Sequence, residues 1–424
     1  MRVRFMTVAL VATLAVGLGG SAAFAHAHPG SASAADTYVN FWDGVANQAF
    51  TASAVPPPDG AVISAYVGVA VYDSVQAIAG SYEPFAVKVD APRGASPEAA
   101  VAAAAHAILV HYLPEQQQTI FDPAYRQSLA TIPDGQAKDD GVATGEQVAG
   151  DFIRQRADDG FRVSVPYIPP DPPIPGVWIP TAPSPPLGTY MPNMTPFSLR
   201  RPSQFRPGGP PPLSSERWAR DYNEVKEIGS RTSTTRTPEQ TLAARFWGEP
   251  PIQQAHGSYR KFITDHGLDI VQASRFMGMT TVVAADALIA CFDAKYHYAF
   301  WRPITAIPAG DTDGNPDTVA DPNWLPLLPA TPNHPEYPSA HSCLTPAAGR
   351  VMARFLGTRH IDLTIPSLTG LGDRHYDQLS DLVYEVTNAR VWGGIHYRTS
   401  VEDGAAIGKK VARQVLAHHF HRTD

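Results

Sequence analysis

The sequence predicts an all-α protein of two packed helix bundles joined by a long irregular loop. Three observations predict it. Apolar residues recur at three- and four-residue spacing through most of the chain, the N-terminal third shows no strand-like alternation, and the prolines crowd into one segment. Hydrophobic residues make up 44% and charged residues 17%, enough to bury a core and too apolar for a disordered chain. With 33 Lys and Arg against 40 Asp and Glu, the formal charge is −7, without the cationic excess that phosphate-backbone binding needs. Nucleic acid is therefore excluded as an expected partner.

Taken in order, Arg2 and Arg4 precede an apolar run over 5–18 and the small-residue signature Ala23-Phe24-Ala25. This predicts a signal peptide over 1–25 and a secreted or periplasmic product. The run is shorter than the roughly 20 residues needed to cross a bilayer, and no membrane span is expected elsewhere. Cleavage would expose His26-Ala27-His28, a terminus that can chelate copper or nickel or remain a loose tail. An N-terminal helical region over 26–165 follows, with helices at 37–50, 61–78, 97–112, 116–131 and 136–157; Val67, Val71, Val75 and Ile78 mark one apolar face.

Residues 166–212 hold 17 of the 41 prolines, a density that forbids a continuous helix or central strand. The segment 166–213 is thus a long irregular loop, and Trp178, Tyr190 and Phe197 argue that it wraps over the protein. The C-terminal helical region, 214–424, should carry helices at 215–228 and 238–247, capped by Ser214 or Ser215 and by Thr237. A long buried helix is expected over 268–301, an irregular stretch over 303–338, and helices at 346–356, 368–392 and 401–419. Cys291 and Cys343 are expected as buried free thiols rather than a disulfide.

Three pieces of this region carry chemistry. Lys295 and Arg302 are seven residues apart, nearly two helical turns, and should share a face, with Pro303 ending the helix just past Arg302. Asp286 and Asp293 lie on the same helix and could pair with these cations, or an anion could. Pro338-Ser339-Ala340-His341 reads as a turn opening a helix, whose free N–H groups, hydroxyl and imidazole suit an anion, although Thr345 and Pro346 could start the helix instead. Arg390 and His396 flank Gly393-Gly394, which should break a helix at Trp392, and Ser400 with Asp403 reads as a capping box for the next. Asp311, Asp313, Asn315 and Asp317 resemble half a calcium loop, but Pro316 stands where Gly is needed, and a solvated turn is the reading.

Together these pieces, KYHYAFWRP at 295–303, PSAH at 338–341 and ARVWGGIH at 389–396, resemble the three-part signature of vanadium-dependent haloperoxidases and the type 2 phosphatidic acid phosphatase superfamily. The helical texture and the proline-rich segment around GVWIPTAP resemble bacterial secreted haloperoxidases. Ala340 stands where the family usually has Gly, Ala389 where it has Ser, and Ser400 where an Asp is often found. The resemblance implies a helical fold of that type and a vanadate cofactor. Its oxygens would be bonded by Lys295, Arg302, Ser339, the Ala340 N–H and Arg390, with His396 as the one protein ligand of vanadium and His341 as acid and base. It implies oxidation of halide by hydrogen peroxide to hypohalous acid, with a small organic acceptor. His334 falls where the family distinguishes halides, and a His there resembles bromoperoxidases, so bromide or iodide is expected over chloride. The acidic partner of His396 stays open among Asp286, Asp293 and Asp403.

The same residues fit a secreted acid phosphatase, in which no vanadium takes part: His396 would form a phosphohistidine and His341 would protonate the leaving oxygen. A third reading is an anion-binding protein without activity. Chain length and the extra N-terminal helices favour the haloperoxidase.

Overall fold

A computed structural model describes residues 34–423; the expected signal peptide over 1–25 and the expected chelating terminus at His26 and His28 lie outside the described residues. Helix α1 (Ala34–Ala52) leads to α2 (Pro57–Ala79), which starts with proline in its first turn and stops at left-handed Gly80. Ser96 caps α3 (Pro97–Tyr112) by accepting the Ala99 N–H. The helix expected over 116–131 is broken. A 3₁₀ turn and a π turn (Gln117–Phe121) come first, and α4 (Asp122–Ala130) then carries Pro123 near its start, where the missing N–H cannot continue an upstream ladder. Helix α5 (Gln136–Arg156) completes this part.

The proline-rich segment wraps. Trp178 is fully buried, the Trp178 N–H donates to Ala299 O (2.6 Å), and Val177 bridges Phe300. Farther along, the N–H groups of Phe197, Ser198 and Leu199 all donate to the buried Asp286 carboxylate at 2.7–3.1 Å. A chain that cannot form its own ladder thus finds acceptors on the helix beneath it.

Beyond it, Ser215 caps α6 (Glu216–Ile228) and a Thr237/Gln240 capping box opens α7 (Pro238–Phe246). Helix α8 (Pro251–Asp265) was not among the expected helices; its proline pair sits at the helix start, where the lack of an N–H is harmless. Central α9 (Ile270–Tyr298) is buried along nearly its whole length. Two described helices, α2 and α9, are long and apolar enough to cross a bilayer, yet both are enclosed by the other helices.

Three expectations fail here for identifiable reasons. Helix α9 ends at Tyr298, with Ala299 left-handed, so Arg302 is not in its last turn; Phe300 leaves to pair with Val177, and the Trp301 N–H donates to Gly176 O (3.1 Å). Arg302 instead precedes the short α10 (Pro303–Ala306). Helix α11 (Ala340–Leu356) starts at the Ser339 cap and runs through Pro346, so Thr345 is no cap. The helix expected from 368 begins only at Leu379, because 360–378 forms an antiparallel hairpin, β1 (His360–Ile365) and β2 (Arg374–Gln378), with Ile361, Leu363 and Ile365 buried in alternation.

Helix α12 (Leu379–Trp392) ends at Gly393 as expected, and Gly394 takes φ 76° beside Gly229 O, a place a Cβ could enter only to 2.4 Å. Helix α13 (Arg398–His418) starts before Ser400, so Ser400 and Asp403 form no capping box; Ser400 turns toward His396, and Asp403 accepts from the Tyr337 hydroxyl (2.5 Å). Gly408 lets α13 approach α11 so closely that a Cβ would meet Cys343 O at 2.2 Å. One apolar core joins α1–α5 to α8, α9 and α11–α13, and an aromatic cluster with Trp218, Trp301, Tyr337 and Tyr397 backs the region described next.

Candidate active site

Three elements deliver buried cations to one place: the end of α9 (Lys295), the start of α10 (Arg302) and the last turn of α12 (Arg390). Lys295 and Arg302 are fully buried and Arg390 is 2% exposed. Neither Asp286 nor Asp293 pairs with them, since Asp286 holds the proline-rich segment and Asp293 pairs with Arg206 (2.7 Å). Backbone carbonyls surround them instead. Lys295 Nζ donates to Pro335 O (2.8 Å) and Glu336 O (2.9 Å). Arg302 donates to His334 O (3.0 Å), Ile395 O (2.9 Å) and Pro332 O (3.3 Å). Among the described residues Arg390 reaches only Trp247 O, and its Nε has no partner. Burial pushes the pKa of Lys295 down to about 8, that of Arg302 to about 10 and, with the Arg302 charge adding to it, that of Arg390 to about 9.

The acid that orients His396 is Glu336, which the sequence reading missed; Asp286, Asp293 and Asp403 are all committed elsewhere. Glu336 Oε1 accepts from His396 Nδ1 (2.8 Å) and from the Tyr397 N–H (3.0 Å), and Oε2 is unpartnered among the described residues. Its signal was present in the sequence: an acid two residues before Pro338, inside the same stretch that carries His334 and His341. Burial raises its pKa to about 7, opposed by Arg302 and Lys295.

These contacts decide the His396 tautomer. Nδ1–H donates to the carboxylate, so Nε2 is the lone-pair nitrogen, and it accepts from Arg302 Nη1 at 3.2 Å. Burial first, then Arg302, Lys295 and Arg390, holds its pKa well below the ordinary imidazole value. Ser400 Oγ lies 3.4 Å from the same Nδ1.

Ser339 caps α11 and its N–H donates to Ser400 O (3.1 Å). The first intrahelical bond of α11 is Cys343 N–H to Ser339 O, so the amides of Ala340 and His341 lie in the unsatisfied first turn. His341 is partly exposed to a cavity of about 350 Å³, but its Nε2 is buried without a partner, and burial followed by Arg390 keeps the ring neutral. His334 is held by Arg302 Nη2 (Nδ1, 3.0 Å) and lies 5.1 Å from the Phe292 ring. Ala340, His341, His334, Arg390 and His396 line the cavity; Lys295, Arg302 and Ser339 stand behind that wall. The thiols of Cys291 and Cys343 are free and buried beneath it. Asp313 of the calcium-like stretch is spent on Trp218, Asn315 and Thr318, as a turn requires.

Three buried cations and one acid thus share this place, with Arg390 Nε and His341 Nε2 unpartnered among the described residues. Such an arrangement defines a buried oxyanion cage behind a neutral imidazole, and a tetrahedral oxoanion such as vanadate fits its donors and its charge.

Comparison with known proteins agrees. Residues 275–423 match the VCPO second helical-bundle domain. The chain is 24% identical over 307 residues to the vanadium chloroperoxidase of Curvularia inaequalis, covering 54% of this chain and spanning only half the length of that relative. A bacterial vanadium-dependent iodoperoxidase superposes with a TM-score of 0.80 at 23% identity, over 94% of this chain and 99% of the other. A holo-type bacterial vanadium-dependent chloroperoxidase gives 0.67 at 18% identity, over 85% and 92%. The chain has the helical fold of these haloperoxidases, and its C-terminal part matches the second helical-bundle domain of that family.

Proposed function

We propose that the protein is a secreted vanadate-dependent haloperoxidase that oxidises iodide or bromide with hydrogen peroxide. The observation that carries this reading is the cage itself: three buried cations solvated by carbonyls, with Arg390 Nε and His341 Nε2 unpartnered beside a His396 whose Nε2 lone pair is fixed by Glu336. Lys295, Arg302, Arg390, Ser339 and the Ala340 N–H would hold vanadate oxygens, and His396 Nε2 would bind the metal. Bound vanadate supplies a Lewis-acidic centre that activates peroxide toward halide without a change of oxidation state.

The chain's own groups do the rest. Glu336 keeps the proton on Nδ1 of His396 and raises the basicity of Nε2. His341, neutral and free at Nε2, takes up and returns the proton of incoming hydrogen peroxide. His334, at the cavity wall beside Phe292, meets the halide, and its imidazole there is what favours the larger halides in this reading. Export rests on the pattern of residues 1–25.

The test is the purified protein with orthovanadate, assayed for iodide and bromide oxidation beside phosphate-ester hydrolysis without vanadate. Halide oxidation that requires vanadate and disappears in His396→Ala is expected. Hydrolysis without any halide oxidation would overturn the reading in favour of a phosphohistidine enzyme.

A further inference from the structure

The cavity that meets the cage continues away from it between α8, α11 and β1, and its character changes. One end holds Arg390, His341, His396 and His334; the other is walled by Ile252, Tyr259, Leu344, Met352, Leu363 and Ile365. Hydrogen peroxide and halide are small and hydrophilic and gain nothing from such walls. Apolar side chains facing a cavity forgo packing contacts, a loss that an apolar occupant offsets. The acid on this rim, Glu249, is spent. It accepts from Ser367, Leu368, Thr369 and Gln254, and so ties the β1–β2 turn to the start of α8 as a wall of the cavity. On the α8 wall of this arm the Tyr259 hydroxyl, on a residue 3% exposed, takes no hydrogen-bond partner among the described residues.

We propose that this apolar arm binds an uncharged organic acceptor and that halogenation takes place there. The acceptor is of roughly ten to fifteen non-hydrogen atoms, the size a cavity of this volume admits; it carries one oxygen that bonds Tyr259 and an electron-rich carbon directed at the cage. The proposal rests on the haloperoxidase reading for its oxidant. Hypohalous acid formed at the cage meets the bound acceptor before it reaches bulk water. The carbon–halogen bond forms as the halogen–oxygen bond breaks, and the displaced ring proton leaves with hydroxide as water. The consequence is selectivity: a neutral bicyclic phenol is halogenated ahead of a hydrophilic competitor.

The probe is 2-naphthol. Its fluorescence titration against the full protein, without vanadate, should show saturable binding in the micromolar range. Ala255→Phe, which puts a ring into the arm from half-buried Ala255 of α8, should weaken binding at least about tenfold. Tyr259→Phe should weaken 2-naphthol but not naphthalene, which needs no hydroxyl partner. With vanadate, peroxide and bromide, the ratio of brominated 2-naphthol to a brominated hydrophilic phenol should exceed that from added hypobromite by about tenfold or more. Absence of binding, equal binding by Ala255→Phe, or a product ratio matching free hypobromite overturns the proposal. Failure of halide oxidation itself overturns the haloperoxidase reading, and the vanadate-free titration still decides whether the arm binds the acceptor.

Discussion

Replacing Arg390 by Met should make the protein more stable while abolishing its response to oxoanions. Arg390 is 2% exposed and has a carbonyl, not a carboxylate, for its partner. Burial and the Arg302 charge lower its pKa to about 9, which corresponds to roughly 5 kcal/mol of disfavour for the buried charge, an upper bound. Against it stands the bond to Trp247 O, worth about 1.5–3 kcal/mol because the donor is charged. A Met of similar length keeps most of the packing and removes both, leaving a net gain of about 2 kcal/mol, within the range seen when buried ions are replaced by apolar side chains. With an unfolding entropy of about 2 cal/mol/K per residue, that raises Tm by roughly 2 °C. In the wild type, an oxoanion at a hundredfold its Kd should add about 2.7 kcal/mol, or about 3 °C, and in the variant nothing. Calorimetry with and without orthovanadate measures both. A variant less stable than wild type by more than about 1 kcal/mol, or one that still shifts with orthovanadate, would refute the view that Arg390 is held in strain for an anion.

Sulfate keeps its charge across neutral and alkaline pH, so its affinity follows the titration of the cage itself. It should fall as the pH rises through about 7, where Glu336 gains its charge, and more steeply, by up to about tenfold per pH unit, above about 8, where the Lys295 ammonium is lost; calorimetric titration of Lys295→Met should lose the step at about 8 and keep the one at about 7. Glu336→Gln keeps an oxygen for both donors that now share Oε1 and places its amide at the unpartnered Oε2, so Tm should move little, whereas Glu336→Ala strands two buried donors and should cost roughly 3–5 kcal/mol in denaturant unfolding. In the Gln variant, sulfate should bind more tightly because a negative charge is gone, while vanadate weakens by about tenfold because His396 is less basic. Asp286→Ala removes the acceptor of three N–H groups at 197–199; limited proteolysis should then cleave within the proline-rich segment, and stability should fall by about 3 kcal/mol.

What the sequence made legible follows its local signals. Proline at a helix start, Ser and Thr caps and the Gly393-Gly394 pair act over a few residues, so α3, α6, α7 and the end of α12 stand where those signals put them. Elements defined by partners far away were not legible. Helix α9 stops at Tyr298 because Phe300 pairs with Val177, more than a hundred residues earlier. The hairpin over 360–378 was hidden by its Gly-rich turn, although the alternation of Ile361, Leu363 and Ile365 was there to be read. At the site, the structure brings together Arg302, His334, Arg390 and His396, all of which the sequence singles out. Glu336 is not among those singled out, because its role depends on chain folding that brings residue 336 against residue 396, and acids nearer a recognisable helix drew attention first.

The way the cations are held explains why the cage is ready for an anion rather than satisfied within the protein. Of the three, none has a carboxylate as a direct hydrogen-bond partner; Lys295, Arg302 and Arg390 are bonded to the carbonyls of Pro332, His334, Pro335, Glu336, Ile395 and Trp247. Most of these carbonyls belong to a stretch where prolines 332, 335 and 338 forbid a helix and so leave the oxygens unclaimed by secondary structure. A carbonyl dipole partly compensates a buried cation without cancelling its charge, whereas a carboxylate would do both and would repel an incoming oxoanion. The single acid present is turned to His396 instead. Proline content, which in the first proline-rich segment wraps the helices, in this second one supplies the acceptors that keep buried charge uncancelled.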